Sequence, residues 1–156
     1  VTLRYGAVSL GQSQFAVGFR TSTTVDTGGR LELRKPDSYL IDCSPAAMAT
    51  ISLPIVGRCE NSTSSVSILL NGTLAPGEHA FTMKVFTPES TPSPNVFSLL
   101  VYNNDNEVQD AAMSMAGQAI HSGLSLLATP ISWTSSEAGQ TSTVTIGFEV
   151  VAAVAA

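Results

Sequence analysis

Charged residues are scarce in this sequence. They make up 12% of the 156 residues, against an average of about 25% in globular proteins. Lys and Arg total seven and the net charge is -5. Nucleic-acid binding needs a basic face, so this acidic balance argues against a nucleic-acid partner.

Long apolar runs are also missing. No run approaches the roughly 18 residues that a membrane-spanning helix needs, so we expect no membrane insertion. Hydrophobic residues nevertheless make up 44% of the chain, and high apolarity with low charge argues against disorder. Such a composition suggests that neighbouring subunits or glycans cover part of the surface. The chain begins at Val1, and we expect a removed leader or a unit of a longer protein.

Short segments of alternating or β-branched residues separated by turn signals run along the whole chain. They include Gln14 to Arg20, Arg30 to Lys35, Tyr39 to Cys43, Met48 to Leu53, Val66 to Leu70, Ala80 to Phe86, Val96 to Tyr102 and Leu124 to Trp133. Val108 to Ile120 fits a helix or a strand, and we favour a strand because its neighbours are strands. The pattern predicts an all-β, antiparallel β-sandwich, immunoglobulin-like or jelly-roll-like, with roughly 8 to 10 strands and at most one short helix.

The stretch from Thr141 to Ala156 has the clearest period of two. One set of alternate positions is wholly apolar, and we predict that it forms an assembly strand: Val144, Ile146, Phe148, Val150, Ala152 and Val154. We expect residues 141–150 to be the closing strand of a single domain over 1–156, with this apolar set on its inner face. Residues 151–156 would extend beyond it toward another subunit, because strands seldom exceed about 10 residues.

Two cysteines and two glycosylation triplets lie close together. A bond between Cys43 and Cys59 would gain about 3 kcal/mol from loop closure, although two buried free thiols are the alternative. Asn61 and Asn71 each begin an N-x-Thr acceptor. Together they predict a disulfide-bonded, N-glycosylated, secreted or cell-surface protein.

Catalytic signatures are absent from the sequence. It contains no G-x-S-x-G elbow, no H-E-x-x-H and no phosphate-binding glycine loop. His121 and Ser122 are neighbours on a predicted strand, where adjacent side chains point to opposite faces. The lone cysteine pair has no histidines at zinc spacing. We therefore expect no enzyme, no catalytic residue, no cofactor and no metal.

Two other groups of residues have competing interpretations. Asp105, Glu107 and Asp110 supply oxygen ligands that calcium prefers, but an Asn/Asp-rich hairpin turn explains them more simply. The second group consists of Trp133 and the three tyrosines, which would stack on sugar rings if they were exposed in a row. Their apolar strand context favours core packing for Trp133 as well as for Tyr5, Tyr39 and Tyr102.

Three stretches carry a resemblance to a known group of proteins: LELRKPDSYLIDC, PNVFSLLVYNNDNEVQDAAM and SWTSSEAGQTSTVTIGFEV. They resemble repeat units in very large secreted or surface proteins of dinoflagellate-like protists. Those units have a similar order of an L-E-L/I-R strand, a cysteine loop, a P-x-N-x-F-S strand and a terminal S-T-V-T-I-G-F strand. The resemblance covers roughly residues 31 to 150 and implies a tandem or assembled extracellular β-domain.

Two hypotheses about function follow. The first is a structural subunit of an extracellular filament or surface assembly, which polymerises head to tail with identical subunits by strand exchange. The second is a cell-surface adhesion or carbohydrate-binding module, with a carbohydrate as its ligand. An exposed aromatic row would favour the second hypothesis, and an unpaired apolar strand favours the first.

Overall fold

A computed structural model describes residues 1–50, 52–54, 56–121, 124–134 and 141–150, with backbone alone at Thr50, residues 124–130, Trp133 and residues 148–150. Within it the chain divides into two compact units, Val1–Ile120 and His121–Ala156. Each unit is described by itself. The division does not decide whether 1–156 folds as one domain, and that statement stays a prediction.

The first unit contains ten strands. They are β1 (Thr2–Arg4), β2 (Gln12–Thr21), β3 (Arg30–Arg34), β4 (Leu40–Asp42), β5 (Ala49–Thr50), β6 (Val56–Asn61), β7 (Ser65–Leu70), β8 (Gly77–Phe86), β9 (Val96–Tyr102) and β10 (Val108–Ala116). Sheet I has the order β1-β2-β8-β4, and β5 also pairs with β8. Sheet II has the order β10-β9-β3-β7-β6. The described residues contain no helix and every pairing is antiparallel, so the predicted all-β antiparallel sandwich is confirmed.

Alternation of side chains places the core between the two sheets. Sheet I contributes Phe15, Val17, Phe19, Ile41, Phe81, Met83 and Val85, and sheet II contributes Leu31, Leu33, Val66, Ile68, Leu70, Phe97, Leu99 and Val101, all of them buried. Apolar residues alternate from Phe15 to Phe19 in β2 and from Phe81 to Val85 in β8, and strand geometry sends those side chains to the same face. Burial of these side chains supplies the main driving force for folding.

Aromatic rings fill one part of this core. The Tyr5 ring stacks on Phe15 at 5.3 Å between centroids, and Tyr39 meets Phe97 edge-on at 5.2 Å. The two tyrosine hydroxyls lie 3.1 Å apart, and the Tyr39 hydroxyl donates to Asn95 Oδ1 over 3.1 Å. The interior therefore satisfies the polar ends of its tyrosines, as buried hydroxyl groups require.

The segment from Val108 onward forms a strand. β10 pairs with β9, and register shifts lie between Val108 and Asp110 and between Ala112 and Met115. Ser114, within the second shift, has a φ of 56°, a left-handed conformation that is uncommon for a residue with a Cβ. The strand prediction is confirmed. The bulges explain why the residues also fit a helical spacing, because each bulge interrupts the period of two.

The second unit contains a β-hairpin. β11 (Leu124–Trp133) pairs antiparallel with β12 (Val144–Val150) in a two-stranded sheet. A register shift lies between Leu126 and Ile131, next to Pro130, which has no N–H to donate to a ladder. Within the described residues β12 pairs with β11. That residues 141–150 are the closing strand of the domain stays a prediction.

Candidate functional site

The hairpin β11–β12 is the candidate site because three of its described apolar side chains, Ile131, Val144 and Ile146, are exposed. Ile131 pairs directly with Ile146, and Trp133 pairs with Val144. Ile131 is 54% exposed, Val144 59% and Ile146 63%. We expected an inner, buried face for Val144 and Ile146. A two-stranded sheet taken by itself supplies no second layer for either face, and the expected inner face stays a prediction.

The other residues of the predicted assembly strand are placed less fully. Phe148 pairs with Leu126, and Val150 pairs with Leu124. Ala152 and Val154 lie outside the described residues.

A disulfide joins the two sheets on one side of the sandwich. The Cys43–Cys59 bond has a Cα–Cα distance of 6.0 Å and connects the end of β4 to β6. Beside it the Asn61 amide donates to the Ile41 carbonyl, so a hydrogen bond also ties β6 to β4. Two cysteines bridged in this way fit an extracellular protein, because such bonds persist in oxidising compartments.

Both acceptor asparagines lie at the surface near this disulfide. Asn61 is the last residue of β6, and Asn71 directly follows β7. The Asn71 amide lies against Gly57, where a Cβ would overlap its side-chain atoms. The sequence predicted the acceptors but gave no indication that Asn61 ends β6 while Asn71 lies beside the start of that strand.

The acidic cluster forms a hairpin turn between β9 and β10. The Asn103 side chain accepts hydrogen bonds from the backbone N–H groups of Asp105 at 3.0 Å and Glu107 at 2.8 Å. Asp110 accepts from the Ser22 hydroxyl at 2.7 Å and from its N–H at 3.1 Å. Asp110 therefore ties the end of β2 to β10. Within the described residues, no three carboxylate, histidine or cysteine groups cluster as a metal would need.

The three tyrosines are buried and offer no stacking surface. Tyr39 is fully buried and Tyr5 is 7% exposed, and both belong to the core cluster, so core packing is confirmed for these two. Tyr102 is also buried, but it lies outside that cluster, under the Arg30 guanidinium, so core packing is wrong for it. Burial raises the pKa of Tyr39 well above its ordinary value, and the Tyr5 hydroxyl beside it adds to the effect. The side chain of Trp133 is not among those described.

The remaining sequence candidates are His121 and Ser122. His121 is exposed, and Ser122 lies outside the described residues. The other histidine, His79, lies about forty residues earlier on β8, and its Nε2 lies 2.8 Å from the Ala75 carbonyl. His79 therefore contacts the turn that precedes its own strand.

A charged group on the outer face of sheet II was not predicted from the sequence. Arg34 Nε bonds Glu32 Oε1 at 2.7 Å, Arg30 NH2 lies 3.6 Å from Glu32 Oε2, and the Arg30 guanidinium lies 4.0 Å above the Tyr102 ring. Burial raises the pKa of Glu32, but hydrogen bonding and attraction from Arg34 outweigh it, so the pKa is lowered. The alternation of charged and apolar residues in RLELR could have indicated that Arg30, Glu32 and Arg34 share one face of the strand.

Surface clefts are shallow and mixed in character. One of about 410 Å³ is lined by Thr2, Gly18, Arg20, Glu78 and His79, among others. A second, of about 380 Å³, lies beside the disulfide and is lined by residues that include Pro45, Met48, Val56 and Arg58. In the first cleft the Ser52 hydroxyl accepts from the Ala80 N–H at 2.7 Å, and His79 Nδ1 lies 3.3 Å from the Ser52 carbonyl.

Comparisons with known proteins add little to this description. No family model matches the sequence, and no curated protein matches it. The chain is similar to an uncharacterized protein from Nocardia farcinica, whose crystal structure is described as revealing an immunoglobulin-like fold. That similarity covers 75% of this chain and 88% of that chain, with 17% sequence identity and a TM-score of 0.43. The described part of the chain contains no helix that is long and apolar enough to cross a membrane.

Proposed function

We propose that this protein is a secreted structural subunit that polymerises head to tail, with the hairpin β11–β12 of one copy adding to an open sheet edge of the next. One observation carries the proposal. Ile131 and Ile146, a directly paired couple, are 54% and 63% exposed in a sheet of two strands. An isolated hairpin is marginally stable in water, and a third strand is normally needed.

Strand addition would pair the open edge of the hairpin and cover its exposed apolar side chains. A neighbouring edge supplies backbone hydrogen-bond partners for the outer side of a strand, and its layer covers the apolar face. The donor and acceptor surfaces differ, so the contact is heterologous and repeats from copy to copy without closing. This arrangement produces a filament or a surface layer.

The disulfide and the two acceptor triplets support the proposal that the protein is secreted. Cys43 and Cys59 are joined in the folded unit, and Asn61 and Asn71 are exposed. A protein built for an oxidising exterior has these features. Adhesion or carbohydrate binding remains the second hypothesis, and the burial of Tyr5, Tyr39 and Tyr102 gives it no support.

The hairpin contact is tested by Ile146→Lys in the purified, secreted protein. Full burial of an isoleucine is worth roughly 1.5 to 3 kcal/mol, so we expect roughly 10- to 100-fold weaker self-association by sedimentation velocity. Electron microscopy should show filaments for the native chain and separate particles for the variant. Thr145→Lys is the matched control, because the adjacent side chain points to the opposite face of β12.

Two results would contradict the proposal. One is a native protein that stays monomeric at high concentration, and the other is an Ile146→Lys protein that polymerises like the native one. A chain that ends at Val150 separates the hairpin from the residues after it. Assembly that survives this truncation assigns the contact to β11–β12, and assembly that disappears assigns it to residues 151–156.

A further inference from the structure

The strand β6 forms one outer edge of sheet II. It pairs with β7 and, in the described structure, with no other strand. An edge strand presents unpaired N–H and C=O groups, which invite pairing with a strand of another molecule. The opposite edge, β10, has two bulges that disrupt its ladder. The β6 ladder has one register shift, between Val56 and Arg58, and continues regularly from there to Asn61.

The two glycosylation acceptors bracket this edge. Asn61 ends β6, and Asn71 follows Leu70, which pairs with Val56 at the start of β6. A strand rises about 3.3 Å per residue, so the two ends of β6 are roughly 17 Å apart. The middle of the strand contains the Arg58–Glu60 ion pair.

The amide groups are free to be modified without loss of the contacts they make. A primary amide has two N–H hydrogens. One hydrogen of Asn61 is donated to the Ile41 carbonyl, which leaves the second for substitution. Asn71 has no hydrogen-bond partner among the described residues. Its amide occupies the space that a side chain at Gly57 would fill, so glycine at this position leaves room for it.

We propose that N-linked oligosaccharides on Asn61 and Asn71 shield the β6 edge from strand pairing with other copies. In the covalent step the amide nitrogen attacks the anomeric carbon of a polyprenyl-pyrophosphate oligosaccharide. A C–N bond forms, the C–O bond to pyrophosphate breaks, and one amide hydrogen leaves as a proton. The products are the N-glycosylated asparagine and the polyprenyl pyrophosphate.

The shield rests on the proposed function, because it restricts where a protein that assembles through strands can join its neighbours. Bulky, hydrated glycans at both ends of β6 prevent an incoming strand from lying along it. Head-to-tail growth through β11–β12 then proceeds without side-by-side pairing at this edge. The glycans make the assembly directional.

The test uses a chain in which the hairpin contact is disabled, so that pairing at β6 is seen alone. Ile146→Lys is combined with Thr63→Ala and Thr73→Ala, and the protein is secreted from a eukaryotic host. The threonine substitutions abolish both acceptor triplets while keeping both asparagine amides, including the bond from Asn61 to Ile41. Intact mass reports glycan occupancy, and sedimentation velocity reports self-association.

We expect the glycosylated Ile146→Lys protein to be monomeric. The glycan-free version should self-associate at least tenfold more tightly, with new hydrogen-exchange protection of the β6 amides. Two results would overturn the shield: no glycan mass at Asn61 and Asn71, or a glycan-free protein that is as monomeric as the glycosylated one. Association with protection outside β6 would overturn it as well.

A second route avoids reliance on the folding of a variant. An endoglycosidase that leaves a single sugar is applied to the folded, glycosylated protein, and the same measurements are repeated. If the Ile146→Lys protein still polymerises, the proposed assembly through β11–β12 is wrong, whatever the outcome for the glycan shield. The β6 amides of native protein are then compared with and without glycan, and equal exchange in both overturns the shield.

Discussion

Two strands of this chain carry the same period-two alternation and lie in opposite environments. In β8 the alternate residues Phe81, Met83 and Val85 are fully buried, whereas Val144 and Ile146 in β12 are 59% and 63% exposed. β8 has neighbours on both edges and a facing sheet, while β12 pairs with one strand. Alternation therefore decides that a strand forms and which side chains share a face. The number of layers around the strand decides whether that face is buried.

The largest expected effect contrasts Phe15→Ala with Ile146→Ala. Phe15 is fully buried, so its truncation should cost about 3 to 5 kcal/mol in the free energy of unfolding of the sandwich. Ile146→Ala should change it by less than about 0.5 kcal/mol, as for most surface positions. Denaturant unfolding of the monomeric protein measures both. Equal losses in the two variants would contradict the division into a buried and an exposed alternation.

The next effect concerns the bond between sheets I and II. Replacing Cys43 and Cys59 together by alanine should lower the free energy of unfolding by about 3 kcal/mol, because the closed loop is about 15 residues long. The same substitution should leave assembly through β11–β12 unchanged when the protein is folded. Denaturant midpoints with and without reductant check the first part. A native protein insensitive to reductant would contradict it.

The smallest effect is a pH dependence confined to sheet II. Arg34 and Arg30 lower the pKa of Glu32 below its usual 4.5 despite burial, so the unfolded state binds the proton more readily. The stability from this pairing is complete above the unfolded-state pKa and is lost as pH falls through the folded-state pKa. Glu32→Gln should therefore reduce the loss of stability between pH 5 and pH 3.

Glu60→Gln is the matched control for that titration. Glu60 pairs with Arg58 at a largely exposed site, with 58% and 73% of the two side chains accessible. Such a pair is screened by solvent and contributes little, so the acid limb of the stability curve should not change. An acid limb that is identical in native and Glu32→Gln proteins would contradict the assignment to Glu32.

Much of the sandwich could be predicted because its strands have long alternating runs. β2 and β8 were recognised from their phenylalanines, and the Asn103 turn from its Asn and Asp residues. β6 was missed because VGRCEN has no alternation: its bulge at Gly57 and its edge position leave only Val56 and Cys59 partly buried. An edge strand is defined by its partner β7, which its own residues do not specify.

The candidate site was harder to predict than the fold. The apolar alternation of Val144 and Ile146 indicated a strand correctly, but it carried no information on whether a second layer covers it. The ties from Asn61 to Ile41 and from Asp110 to Ser22 join residues far apart in sequence. Polar residues such as these also occur in any exposed loop, so no local sequence pattern reveals the two hydrogen bonds.

The long pairing of β2 with β8 also determines when this protein can begin to fold. Gln12 pairs with Phe86 and Thr21 with Gly77, so the second strand has no central partner until residues 77–86 have been synthesised. Contacts so distant in sequence make folding slow. A chain emerging from the ribosome or a membrane pore must therefore keep Phe15, Val17 and Phe19 from aggregating until β8 arrives.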